Sequence, residues 1–292
     1  MPEIDRIADL LEDQSITDIL IGSTCTVESN AALKELENPF KDEQETRSFI
    51  QKVFSENAGR IDISQPISEV SIITDHGLLR VHAVLAGECA QRTEISIRRH
   101  ATQSLGLDEL ESRQTLAFEE KSKLQQIIKS KENFVIVGGT GAGKTTLLRA
   151  MLSTVSNERI ITIEENYELG LTGRAVSLKT RGNNHEGVGE ISLARLLREA
   201  LRMRPDRLVI GEARGEELKL LLQSLNTGHS GAGFTLHANS FSEAKSRMLA
   251  MLNMSGVQTE LATNLIASAI HWVIEICRTE QGRKIVAIEK FL

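Results

Sequence analysis

The densest chemistry in the sequence lies in Gly138-Gly139-Thr140-Gly141-Ala142-Gly143-Lys144-Thr145, which fits the pattern G-x-x-x-x-G-K-[ST]. Glycines at this spacing let backbone N–H groups curl around phosphate oxygens, where a side chain would block approach. Lys144 can then reach the β- and γ-phosphates of a nucleoside triphosphate, and the Thr145 hydroxyl can ligate Mg²⁺. These residues, with Thr146 next in line, form the expected ATP site. Hydrolysis also needs a carboxylate for Mg²⁺ and a group to orient the attacking water. Leu208-Val209-Ile210-Gly211-Glu212 is an apolar run ending in an acid, the Walker B arrangement, and Glu212 is assigned to the Mg²⁺ shell. Gly211 stands where many P-loop enzymes carry an Asp, so a second strand must supply the other acid. Arg159-Ile160-Ile161-Thr162-Ile163-Glu164-Glu165 offers Glu164 for water activation, with Glu165 as substitute. Alternation along a strand should turn these two to opposite sides. Gly233–Ser240 contains a strand ending in His237, able to donate to a γ-phosphate or sense its loss. His229, one loop earlier, is a second candidate.

These segments need strands that end at a common edge and helices that connect them. Runs at Phe134–Val137, Ile160–Ile163, Leu208–Ile210, Phe234–Leu236, Trp272–Ile276 and Lys284–Ile288 predict strands alternating with helical patterns, the rhythm of a parallel α/β domain. Gln281-Gly282 predicts an edge hairpin between the last two. The pattern TTLLRAML directly after the glycines sets a helix N-terminus at a bound anion. The first hundred residues read as a small α+β domain. Helix-like segments at Asp5–Glu12 and Glu43–Ser55 precede β-like runs at Arg60–Ile63, Val70–Ile73, Leu78–Leu85 and one ending at Arg99. The polar stretch 101–115 reads as a linker, with LGLDELES a short helix inside it, and the second domain follows from 116 to 292, opening with the helical FEEKSKLQQIIKS.

Composition narrows the function classes. With 292 residues, 40% of them apolar, the chain can bury two cores and is not a disordered segment. A net charge of −6 and 3% aromatics weigh against a nucleic-acid partner, which usually meets a basic or stacking surface. Cys25, Cys89 and Cys277 lie far apart with no CxxC pair, so neither a disulfide framework nor a zinc ribbon is expected. The acidic start lacks the apolar stretch of a secretory signal, and Leu265–Ile276 is too short for a span, so a cytoplasmic location is expected.

Taken together, GGTGAGKTTLLRAML, ITIEENYEL, LRMRPDRLVIGEARGEE and NTGHSGAGFTLHANS resemble the Walker A, Asp box, Walker B and His box of the type II/type IV secretion and type IV pilus ATPases, in that order. The sequence is most similar to the Flp/Tad pilus-assembly ATPases and the conjugal-transfer and type IV secretion ATPases, in which LRMRPDR and TLHANS are typical. The likeness extends looser into the first domain through GRIDISQPISEV, LLRVHAVLAGECA and ISIRRH. It implies a RecA-like P-loop domain with a parallel-rich sheet behind the α+β domain, and a ring homohexamer with nucleotide at the interdomain hinge. It also implies an ATP-driven motor that serves inner-membrane platform proteins of a pilus or secretion machine from the cytoplasm, without direct nucleic-acid contact. By position it maps the water-activating glutamate to Glu164, the Walker B carboxylate to Glu212 and the His-box residue to His237. It points to Arg98 and Arg99, and to Arg198, Arg202 and Arg204, as arginines near the γ-phosphate. The sequence departs from the family at Glu165-Asn166 and lacks a four-cysteine subdomain. A nucleic-acid-translocating RecA-like motor and a nucleotide-binding regulatory subunit without turnover are the alternatives.

Overall fold

The computed structural model describes residues 2–29, 32–87, 89–100, 105–183 and 188–291. It divides into two compact units, 1–103 and 104–292. In the first, strands Ile16–Ile21 (β1), Cys25–Ser29 (β2), Ala32–Leu36 (β3), Ile67–Thr74 (β4), Gly77–Val84 (β5) and Glu94–His100 (β6) form a sheet in the order β3-β2-β1-β6-β5-β4. Every pairing is antiparallel. β5 alternates buried and half-buried positions along its length, the pattern of a sheet covered on one face. Helix Ala8–Glu12 (α1) follows a 3-10 turn at Glu3–Ile7, and Glu43–Glu56 (α2) starts where Asp42 caps the Glu45 N–H at 2.8 Å. Phe49, Ile50, Val53 and Phe54 of α2 share one core with Leu79, Val81, Ile95 and Ile97 of the sheet.

One expectation fails here, and three strands were not anticipated. Arg60–Ile63 is not a strand, because the Asp62 carboxylate accepts from the Ser64 and Gln65 N–H groups and folds the segment into a turn. Strands β1 to β3 had no forecast. β3 is an edge strand of sequence ALKEL, exposed at nearly every position, so it lacks the apolar alternation that announces a strand.

The second unit contains Leu107–Ser112 (α3), Phe118–Lys129 (α4), Phe134–Gly138 (β7), Lys144–Leu152 (α5), Ile160–Glu164 (β8), Ala175–Lys179 (β9), Leu193–Leu201 (α6) and Arg207–Ile210 (β10). It continues through Glu217–Leu225 (α7), Gly233–His237 (β11), Phe241–Met254 (α8), Thr259–Ala269 (α9), Trp272–Thr279 (β12) and Gly282–Lys290 (β13). The seven-stranded sheet runs β13-β12-β7-β11-β10-β8-β9, with only the β12–β13 hairpin antiparallel. β7, β8 and β10 are buried at every position, because helices cover both faces. One core collects α6 to α9, and the other collects α3, α4 and α5. Leu107 and Leu110 are buried in the latter, so residues 105–115 belong to the second unit and are not a linker. Residues 101–104 of the expected linker lie outside the described residues. Parallel pairing brings the C-terminal ends of β7, β11, β10 and β8 to one edge, with His237 opposite Gly138 and Ile210 opposite Ile163.

Candidate nucleotide site

The glycine loop leaves β7 at Gly138 and enters α5 at Lys144. Gly138 is obligatory for packing, since a Cβ there would lie 2.2 Å from the Ile276 carbonyl oxygen of β12. Gly143 adopts a left-handed φ of 97°, which a side chain resists. No side chain caps α5, whereas Asp42, Ser192 and Ser240 close the first turns of α2, α6 and α8. α7 and α9 also lack a side-chain cap, so what singles out the start of α5 is the glycine loop that leads into it, whose spacing and conformation fit a phosphate. Lys144 is buried and its Nζ donates to the carbonyl oxygens of Gly138 and Gly139, both at 2.9 Å. Burial lowers its pKa, which the Glu212 charge partly offsets.

A line of charged groups continues from Lys144 along the sheet edge. Lys144 Nζ lies 3.4 Å from His237 Nδ1, and His237 Nε2 lies 3.2 Å from Glu212 Oε1. Arg214 follows Glu212 in sequence and donates to Glu212 Oε2 at 2.8 Å and to Glu165 Oε2 at 2.7 Å. These contacts run without a break past the C-terminal ends of β7, β11, β10 and β8. Burial and then the Lys144 charge push the His237 pKa down, which favours the neutral ring. Lys144 can only donate, so His237 accepts through Nδ1 and donates from Nε2 to Glu212. Arg214 was not anticipated; its signal lies in the GEAR segment, two residues past the Walker B acid.

Glu164 stands apart from this line. It is 2% exposed; its Oε1 accepts from the Thr162 hydroxyl at 2.8 Å, and its Oε2 accepts from the N–H groups of Glu168 and Leu169, each at 2.8 Å. Burial raises its pKa, against the pull of these three donors. Its carboxylate closes the turn after β8. Glu165 faces the other way, as alternation predicts, and meets Arg214. Thr145 and Thr146 are half-buried on the first turn of α5.

The remaining candidates lie elsewhere. His229 precedes β11, at the opposite end of that strand from His237, and its Nδ1 sits 3.3 Å from the Ser224 carbonyl; within one chain it does not reach the phosphate loop. Arg202 is exposed and pairs with Glu199 at 3.5 Å, Arg198 is exposed on α6, and Arg204 is exposed in the turn that feeds the start of β10. Arg202 and Arg204 therefore sit at the sheet end away from the loop. In the first unit, Arg98 donates to Asp18 at 2.7 Å. Arg99 donates to the Leu11 and Asp13 carbonyls at the end of α1, a structural cap.

Residues 73–288, well over half the chain, match the family described as "Type II/IV secretion system protein". A Mycobacterium tuberculosis protein bearing a conjugal-transfer name is 36% identical over 95% of this chain and 81% of its own length. The type IV secretion system protein VirB11 of Bartonella quintana is 26% identical, covering 99% of this chain and 92% of its own. The solved Legionella pneumophila ATPase DotB, 21% identical, superposes with a TM-score of 0.68 over 97% of this chain and 78% of its own, which establishes the fold. The uncapped glycine loop, the acid that ends β10 and these matches over most of the sequence lead to one conclusion: the chain belongs to the type II/IV secretion system family of P-loop ATPases.

Proposed function

We propose that this chain is a hexameric, ring-forming motor ATPase that powers secretion, conjugal transfer or pilus assembly. Mg²⁺ would be held by Thr145 and Glu212, supplemented by phosphate oxygens, as this small cation commonly is. The observation that supports a motor is the unbroken line Lys144–His237–Glu212–Arg214–Glu165. A change in phosphate charge at Lys144 alters each neighbour in turn across four strands, which couples nucleotide state to the sheet edge.

Water activation sits better on the exposed Glu165, held by the side chain of Arg214, or on the half-buried Glu168, than on Glu164, which is buried and bonded to the backbone N–H groups of its own turn. Glu164 is then a positioning residue that holds the turn. The site works in a ring whose neighbours complete each nucleotide, with Arg98, Arg198, Arg202 and Arg204 as the exposed arginines offered to a neighbour. The ring acts at the cytoplasmic face of the inner membrane through platform proteins. Among the described residues no helix is long and apolar enough to cross a membrane.

The test is steady-state ATP hydrolysis against protein concentration, with sedimentation on the same samples. Specific activity should rise as a species of roughly 190 kDa appears, six chains of 32.2 kDa. Concentration-independent turnover by monomer would remove sites completed across subunits, and DNA-stimulated turnover would replace the reading with a nucleic-acid motor.

A further inference from the structure

The phosphate loop has two flanks, and the line of charges occupies only one. On the β11 side stand Lys144, His237 and Glu212, the groups that meet the γ-phosphate and Mg²⁺ in the function proposed above. A triphosphate held with its terminal end on that side has its nucleoside-proximal phosphates on the other, where β12 and β13 lie. The hairpin formed by these strands turns at the loop's tip. Arg278 of β12 and Arg283 of β13 are cross-strand partners, directly opposed in register. Arg283 Nε donates to the Gly141 carbonyl at 3.0 Å, and its Cδ lies 2.9 Å from where a Cβ on Gly143 would sit. Arg278 Nη1 lies 3.7 Å from the corresponding point on Gly141. Both side chains are exposed.

The hairpin thus sets two guanidinium groups beside a loop built to receive an anion. Guanidinium groups also suit phosphate better than ammonium does, because their N–H donors lie in one plane and bond two oxygens together. We propose that Arg278 and Arg283 bind the nucleoside-proximal phosphates of the nucleotide, in cis, so that the C-terminal hairpin forms the second wall of the site. The inference rests on the orientation of the triphosphate given above. It assigns the hairpin to nucleotide affinity, and leaves hydrolysis to the β11 side.

The test is equilibrium binding of ATP and ADP to the full chain, alongside steady-state kinetics. Arg278→Ala and Arg283→Ala should each weaken ATP and ADP by a similar factor, about 10- to 100-fold, because both nucleotides carry the proximal phosphates. KM should rise by the same factor, with kcat at saturation within about threefold of the parent, and the two Arg→Lys variants should recover part of the loss. Lys284→Ala, one residue further along β13, should bind as the parent does, and the nucleotide-free melting temperature checks folding. If Arg283→Ala weakens binding and Arg278→Ala does not, Arg283 only props the loop through Gly141 and the proposal fails. Parent-like ADP affinity in both variants also overturns it. Failure of the parent chain itself to bind ATP would sink the site reading, which is a separate result. Mixing Lys144→Ala chains with Arg278→Ala/Arg283→Ala chains decides the geometry: no recovery of turnover supports the cis assignment, and partial recovery moves the hairpin to a neighbour's site.

Discussion

The two ends of the seven-stranded sheet carry similar charged residues and use them differently. At the C-terminal end, Lys144, His237, Glu212, Arg214 and Glu165 touch one another mainly through side chains, and most are partly exposed. At the N-terminal end, Arg207 is 2% exposed and grips Glu158 with two nitrogens, at 2.8 and 3.1 Å. The same guanidinium donates to the carbonyls of Ile128 at 2.7 Å and Gly231 at 3.3 Å, and Lys131 adds a third contact to Glu158 at 3.1 Å. Burial alone would raise the Glu158 pKa, yet the bonds from Arg207 and Lys131 hold it below the usual range. Arg207 is closed in by its ion pair with Glu158 and by two carbonyls; Lys144 also holds two loop carbonyls, but it borders the open glycine loop, where a phosphate can take their place. The distinction separates scaffold from site on geometry, with residue type held constant.

The sharpest way to break that contrast is to delete one cation from each end. Lys144→Ala should abolish productive nucleotide binding, with a loss in kcat/KM of at least about 10²–10³-fold, while the nucleotide-free protein keeps its melting temperature. Arg207→Ala should do the opposite. It leaves Glu158 partly buried without its main partner and should cost about 3–5 kcal/mol of stability, read by denaturant unfolding. An Arg207→Ala chain that melts like the parent would show that burial and carbonyl bonds do not mark the scaffold end.

A finer division runs within the turn after β8. Glu164→Gln keeps a carbonyl to accept from Glu168 and Leu169, so turnover should stay within about tenfold of the parent, as suits a lost positioning contact. Glu165→Gln or Glu168→Gln should lower kcat more, with nucleotide affinity retained. The reverse ranking, with Glu164→Gln binding ATP normally and hydrolysing none, would return water activation to Glu164.

The sequence made this division only half legible, for a physical reason. The glycine loop and the apolar runs of the second unit were readable because buried parallel strands are continuous in apolar residues and the loop's spacing is imposed by phosphate geometry. β1 to β3 were not; the edge strand β3, ALKEL, carries no apolar alternation to read. Glu164 and Glu165 look equivalent as letters, and only the fold shows which one turns inward. His229 and His237 lie eight positions apart in one motif-rich stretch, yet β11 carries them to opposite ends of the sheet. Arg278 and Arg283 gave no signal, because their meaning comes from pairing across a hairpin and from a loop more than 130 residues away in sequence, as the 142-residue separation of Arg283 from Gly141 shows.

The smallest expected effect is a pH dependence centred on His237, and its sign follows from the neighbours. Burial and Lys144 depress the folded-state pKa below the ordinary value of 6.5, with Glu212 pulling the other way. Between those two values the unfolded chain binds the proton more readily than the folded one, so stability falls as pH drops below about 6.5 and is fully present above it. Protonation at Nδ1 also replaces the acceptor facing Lys144 with a second positive charge, so the line of contacts breaks at the phosphate loop first. Stability measured by unfolding from pH 8 to pH 5 should therefore fall more steeply in the parent than in His237→Gln, whose amide does not titrate. Parallel curves would mean that His237 reaches the same protonation state folded and unfolded, and that the Lys144–His237 contact contributes nothing to the connection between the loop and the strands beside it.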